Sequence, residues 1–360
     1  MPYSQPTKAG EFIMAHPIVW IDTLKALAIF MVVIGHTIGL PAPVERLIFS
    51  FHMPIFFWIS GLLAKESIKE VPFTSYVKNK ARSRLIPYLF FSIFSYILWF
   101  FLFRHFGTQA QLNISPLRTF TGIFYGNGIN HWIDHNTVLW FFLCLFVTEM
   151  LFFFLIKIPS KTGLMVALTL FSIGGYVDTW INRPDGFRLP WNIDIAFSMV
   201  VFYGIGYLCQ PLLRSDIWKN RSFKWGLVTL CLPLYTVCSL ANIKVAVVAG
   251  IYGNYIFFYT AALSGILFWV VVAMQIPDSR LVSKIGNNTL IIFSLHLLVF
   301  PFLTAILVYG FKIPSSIKED SILLSIAYAV ISILVLLPVA DGIKKYFPFF
   351  IGLPGRNRKN

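Results

Sequence analysis

Ile18-Val19-Trp20-Ile21-Asp22-Thr23-Leu24-Lys25-Ala26-Leu27-Ala28-Ile29-Phe30-Met31-Val32-Val33-Ile34-Gly35-His36 is an apolar run of membrane-crossing length that nevertheless carries Asp22, Lys25 and His36. Ionisable side chains are expensive at membrane depth, so a lysine and a histidine in such a run mark a functional site. Eleven residues separate Lys25 from His36; at ~100° per residue they return to within ~20° of one helix face, and at ~1.5 Å per residue they stand ~16 Å apart. One face of one helix therefore holds a cation near one end and a titratable base near the other.

The rest of the chain agrees with a membrane solvent. Of 360 residues, 57% are hydrophobic, 17% aromatic and only 12% charged, and the mean hydropathy is +0.74, outside the range of a soluble globular domain. Ten stretches are long enough to span a ~30 Å apolar core: roughly 18–40, 46–65, 85–106, 137–157, 161–180, 192–212, 224–241, 254–275, 288–310 and 322–345. The expected fold is an all-α integral membrane protein of about ten transmembrane helices. The net charge of +14 follows alternate loops instead of forming a nucleic-acid patch, with 20 of the 29 Lys and Arg on one side. By the positive-inside rule both termini are cytoplasmic. The expected organisation is a cytoplasmic tail over 1–17, a transmembrane domain over 18–345 and a basic cytoplasmic tail over 346–360. The first fifteen residues lack the basic start and cleavage site of a secretory signal, so the first span is read as retained.

Other groups carry less. Cys144, Cys209, Cys231 and Cys238 fall in apolar spans without metal-ligand spacing and read as small buried residues. Ser60-Gly61 reads as a close helix approach. No metal is expected: Asn130-His131-Trp132-Ile133-Asp134-His135-Asn136 holds two histidines and an aspartate, but no fourth ligand is evident. The cluster Lys78-Asn79-Lys80-Ala81-Arg82-Ser83-Arg84, in a cytoplasmic loop over 66–84, reads either as an anchor on anionic lipid or as a seat for the phosphates of a cytosolic cofactor. Asp22 has Lys25 as its natural partner, and Glu149 is a buried acid with no partner evident in the sequence. His52, after the outer turn, is placed to face His36 across the first hairpin.

Trp20-Ile21-Asp22-x-x-Lys25-x10-His36, then Phe51-His52-Met53-Pro54-Ile55-Phe56-Phe57-Trp58-Ile59-Ser60-Gly61, Arg82-x-Arg84-x-x-Pro87-Tyr88, Leu139-Trp140-Phe141, and Ile285-Gly286-Asn287-Asn288-Thr289-Leu290 leading to His296 resemble, in order and spacing, the acyltransferase-3 family of membrane O-acyltransferases. The likeness covers essentially the whole chain and is greatest to stand-alone members that acetylate sugars. Two departures stand out: Lys25 holds a position usually occupied by arginine, and Val138 stands where the family often has a histidine before Leu-Trp-Phe. The resemblance implies a multi-pass protein of the cell membrane that moves acetyl from cytosolic acetyl-CoA to a hydroxyl of a polysaccharide or of its lipid-linked precursor. It implies a reaction centre of His36, Lys25, Asp22 and His52, with His36 as general base or acyl relay. It further implies a donor site among Lys80, Arg82, Arg84 and Lys25, and an acceptor side drawing on Trp140, His135, His296 and Glu149. Rival readings are a secondary transporter or flippase using Lys25, His36 and Glu149 as an ion path, the same fold with a succinyl donor or non-sugar acceptor, and an assembly subunit indifferent to His36.

Overall fold

The computed structural model describes residues 19–181, 188–318 and 321–353. The expected tail 1–17 and most of the basic tail lie outside the described residues. The described chain is helical, with one isolated β-bridge between Ala246 and Ile251. In order the helices are α1 Val19–Gly35, α2 Ala42–Phe51, α3 Pro54–Leu62, α4 Phe73–Phe101, α5 Gly107–Leu112, α6 Pro116–Tyr125, α7 Trp140–Leu155, α8 Lys161–Val177, α9 Ile193–Leu208, α10 Gln210–Leu213, α11 Arg221–Ala241, α12 Tyr255–Gln275, α13 Arg280–Gly286, α14 Thr289–Ala305 and α15 Ile322–Tyr346. Eight helical stretches among the described residues are long and apolar enough to cross a membrane, so the protein is an all-α integral membrane protein.

Two of the expected spans take another form. The first, α1, has 17 residues. The second is broken at His52-Met53 into α2 and α3, because Pro54 has no amide proton to continue a helix and instead starts one. A third difference shapes the site: residues 73–84, expected as loop, are the first three turns of α4, which starts after Pro72 and meets no breaker before Pro87. The basic cluster therefore has helical faces. Helix starts elsewhere are satisfied by short polar side chains: Ser160, Asn220, Asn254 and Ser321 each accept from backbone N–H groups of α8, α11, α12 and α15.

Helix α1 is central, touching α2, α3, α12, α13, α14 and α15, and Leu24, Ile29, Val32 and Val33 on it are fully buried. Apolar burial does not draw helices together in lipid, so assembly rests on close packing and polar contacts. Gly61 of α3 lies against the Tyr203 carbonyl of α9, where an added Cβ would come within 1.8 Å, and Gly206 lies against the Trp58 carbonyl at 2.1 Å. This bears out the close approach read from Ser60-Gly61. Tyr235 of α11 donates to the Leu47 carbonyl at 2.9 Å and Ser239 to Ser50 at 2.9 Å, joining α11 to α2.

Gly61→Val should cost about 3 kcal/mol or more, since backbone cannot yield as a flexible side chain does. Gly174→Ala, where a Cβ meets nothing within 4 Å, should instead stabilise α8 by about 0.5–1 kcal/mol. Thermal unfolding in detergent checks both; equal behaviour would show that the α3–α9 contact does not hold the bundle.

Candidate active site

Two basic residues of α4 converge on one carboxylate. Lys80 and Arg84, one turn apart, both reach Glu149 of α7: Lys80 Nζ donates to Oε1 at 2.7 Å, and Arg84 Nη2 and Nε donate to Oε1 at 3.0 Å and Oε2 at 3.2 Å. The Glu149 side chain is 1% exposed against 22% and 23% for the two cations, so the pairing compensates a charge that water cannot reach. Tyr76 adds a hydrogen bond to the Glu149 carbonyl. The partner that the sequence left unnamed for Glu149 is thus the basic cluster, through Lys80 and Arg84. Arg82, turned ~200° from Lys80 by two residues of helix, is exposed and donates to the Leu353 carbonyl at 3.2 Å. It lies on the opposite face of α4 from Lys80 and Arg84.

At the start of α1, Lys25 donates to Asp22 at 3.0 Å, and Asn287 donates to the other Asp22 oxygen at 3.2 Å. Gly286 allows this approach, because a Cβ there would fall 2.1 Å from the Asp22 carbonyl. Asn287, quoted in a motif but given no role from sequence, is therefore the side chain that fixes Asp22. Lys25 and Arg84 line one cleft of about 190 Å³, whose walls include Phe56, Ser60, Phe141 and Phe293. Two cations at an apolar cleft are suited to an anionic ligand with a slender apolar portion.

At the other end of α1, His36 and His296 are neighbours, with ring centroids 5.4 Å apart. His296 is fully buried, and its Nδ1–H donates to the Phe293 carbonyl at 2.8 Å; the tautomer this requires leaves Nε2 as an acceptor, and that atom has no hydrogen-bond partner. His36 lines a second cavity of about 70 Å³ with Phe300, Thr304, Ser325 and Tyr328. His52 does not meet His36 directly: Phe49 stands between them, 6.4 Å from one ring and 4.7 Å from the other. His52 donates through Nδ1 to the Ile48 carbonyl at 3.1 Å.

His135 and Trp140 lie apart from this line. Trp140 is 5% exposed at the head of α7. His135 packs edge-on against Tyr96 at 6.0 Å with neither ring nitrogen hydrogen-bonded, and burial pushes its pKa down to about 3, so it is neutral. Asn136, which sequence reasoning passed over, donates to the Ser95 hydroxyl at 3.0 Å and the Ser294 carbonyl at 2.7 Å, tying the loop to α4 and α14. Among the described residues no group of three His, Cys, Asp or Glu is placed to hold a metal. His131 instead pairs with Asp134 at 2.7 Å.

Comparison with known families places the chain. A model described as an acyltransferase domain matches residues 18–341, almost all of it. The protein belongs to the acyltransferase-3 family. Its relatives include the nodulation protein NolL of Mesorhizobium japonicum, 26% identical over 242 residues covering 61% of this chain and 55% of that protein. Nodulation protein NolL of Sinorhizobium fredii is 37% identical over 79 residues, 19% of this chain and 22% of that protein. The chain thus spans about half the length of the first of these relatives and less of the second. No solved structure matches. Within this acyltransferase-3 chain, the matched segment contains Lys25, Arg84, Glu149, His36 and His296.

Removing Glu149 strands two cations. Glu149→Ala should lower stability by about 3–5 kcal/mol, whereas Arg82→Ala, on the exposed face, should change it by no more than about 0.5 kcal/mol. Thermal unfolding of both variants separates the two faces of α4, and comparable losses would contradict the assignment.

Proposed function

We propose that this protein is a membrane O-acetyltransferase that takes acetyl from acetyl-CoA, a substrate entering from the cytosol, and delivers it to a sugar hydroxyl of a cell-surface polysaccharide or its lipid-linked precursor. The observation that carries this reading is the alignment along α1 of a cleft bearing Lys25 and Arg84 with a histidine pair ~16 Å away. That separation is comparable to the reach of an extended pantetheine arm. Lys25 and Arg84 bind donor phosphates, the arm lies in the apolar cleft, and the thioester is presented at His36.

His36 then takes the proton of the acceptor hydroxyl as its oxygen attacks the acetyl carbonyl; the C–S bond breaks, the C–O bond forms, and the proton passes to the departing thiolate. Transfer first to the imidazole, then to the acceptor, uses the same positions. With both termini cytoplasmic in the cell membrane, His36 faces the outer side, where the polysaccharide is. Against the transporter reading stands Glu149, which an ion path would need accessible and which is sealed between two cations.

His36→Ala should lower transfer by about 10²–10⁴-fold while expression and membrane insertion stay near wild type. Product formed by this variant at the wild-type rate, in an assay of purified protein with acetyl-CoA and acceptor, would remove His36 from the chemistry.

Lys25→Ala should weaken use of acetyl-CoA more than use of S-acetyl-pantetheine, which lacks the phosphates, by the ~1.5–3 kcal/mol of a charge-assisted contact. Lys25→Arg should be tolerated, since it keeps the charge and adds a fork. Arg82→Ala should leave both donors unaffected. Equal losses on the two donors for Lys25→Ala would show that Lys25 serves packing alone.

A further inference from the structure

The two cavities lie end to end. Thr289, Leu290 and Phe293 of α14 line the cleft that holds Lys25, while Phe300 and Thr304 of the same helix line the cavity that holds His36. Positions 289, 293, 296, 300 and 304 recur at helical spacing on one face, so α14 runs past both spaces, and His296, fully buried, lies between them. The partition on the cleft side is aromatic. The Phe293 ring sits 5.1 Å from Phe141 and 6.0 Å from Phe142 on one side, and 6.2 Å from His296 on the other. Phe141 is itself wedged against Phe56 at 6.0 Å and Phe57 at 5.2 Å. Among these rings Phe293 is the one that touches both the cleft aromatics and His296, and it is 5% exposed.

Resting on the donor reading above, we infer that Phe293 sets the length of the acyl group this protein transfers, confining the donor to short-chain thioesters. On that reading the arm occupies the cleft of about 190 Å³ that Lys25 and Arg84 line. The acyl group must go beyond it, past Phe293, into a region of about 70 Å³ that the acceptor hydroxyl also has to enter. A methylene added to the acyl chain then meets close-packed rings, and packed interiors register a change of that size. Phe293→Ala removes the ring that closes the cleft against His296 and leaves room there for a longer chain.

The test is a donor series of acetyl-, propionyl-, butyryl- and hexanoyl-CoA with purified protein in nanodiscs, scored as the ratio of butyryl to acetyl transfer. A pocket that excludes one methylene discriminates by about 10–200-fold, so wild type should prefer acetyl by at least ~10-fold over butyryl, and Phe293→Ala should recover at least ~10-fold of that ratio. Phe293→Leu, which keeps an apolar side chain in place, should shift it in the same direction by less. Phe90→Ala, at a ring that stacks on Phe350 and lines neither of the two cavities, should not shift it. A wild type indifferent to chain length, or a ratio unchanged in both Phe293 variants while acetyl is still transferred, overturns the inference and leaves the donor reading standing. A wild type that transfers no acyl group from any CoA thioester overturns the donor reading itself.

Discussion

A charge held at membrane depth has to find its counter-charge within the protein, and the Lys80–Glu149–Arg84 group is where this constraint binds hardest. An uncompensated carboxylate there would cost about 2.5–3.5 kcal/mol even by the lenient scale of membrane insertion. Its compensation draws α4 onto α7 and holds Arg84 at the edge of the cleft it shares with Lys25. Asp22 is resolved in the same way, by Lys25 and by Asn287 beyond α13. Both acids hold a cation, and neither lines the cleft itself. Two cations against one carboxylate leave the group with a positive excess beside the cleft, which is what an anionic donor requires.

The histidines obey a related rule. An imidazole N–H in an apolar setting needs a partner, and His52 and His296 both meet that need by donating Nδ1–H to a carbonyl of their own helix. That local bond fixes the tautomer and leaves the second nitrogen as an acceptor. In His296 this acceptor has no partner and the ring neighbours His36. Two imidazoles side by side, one of them tautomer-locked, at the edge of a small cavity form an arrangement able to accept and pass a proton without placing a permanent charge in lipid.

Much of this was legible in the sequence, and for identifiable reasons. Membrane-length apolar runs announce helices because nothing but a helix or a closed barrel satisfies backbone polar groups in lipid. The Lys25–His36 spacing was readable as helical because α1 contains no proline from Val19 to Gly35 and the His36 N–H, just past its end, still bonds the Val32 carbonyl. What escaped reading depends on contacts distant in the chain or on local chemistry outweighed by apolarity. Met53-Pro54 sits in an unbroken hydrophobic run, so the second span looked continuous although the proline starts a new helix. Residues 73–84 looked like loop because they are charged, although Lys, Arg and Ala are good helix formers and nothing between Pro72 and Pro87 interrupts them. Once that stretch is helical, the ~200° between Arg82 and its neighbours two positions away separates the cations into two faces by arithmetic. The pairing of Glu149 with residues 65 and 69 positions earlier had no local signal at all.

The proposed transfer carries an acyl group through one bundle, from the Lys25 and Arg84 end of α1 to the His36 end, across the bilayer. It is tested most directly in sealed proteoliposomes whose protein is uniformly oriented, with labelled acetyl-CoA confined to the compartment facing the Lys25 end and a sugar acceptor confined to the other. The expected result is acetylated acceptor in the far compartment with free CoA retained on the donor side, and none when both reagents are placed at the His36 end. Acetylation that proceeds only when donor and acceptor share a compartment would contradict it.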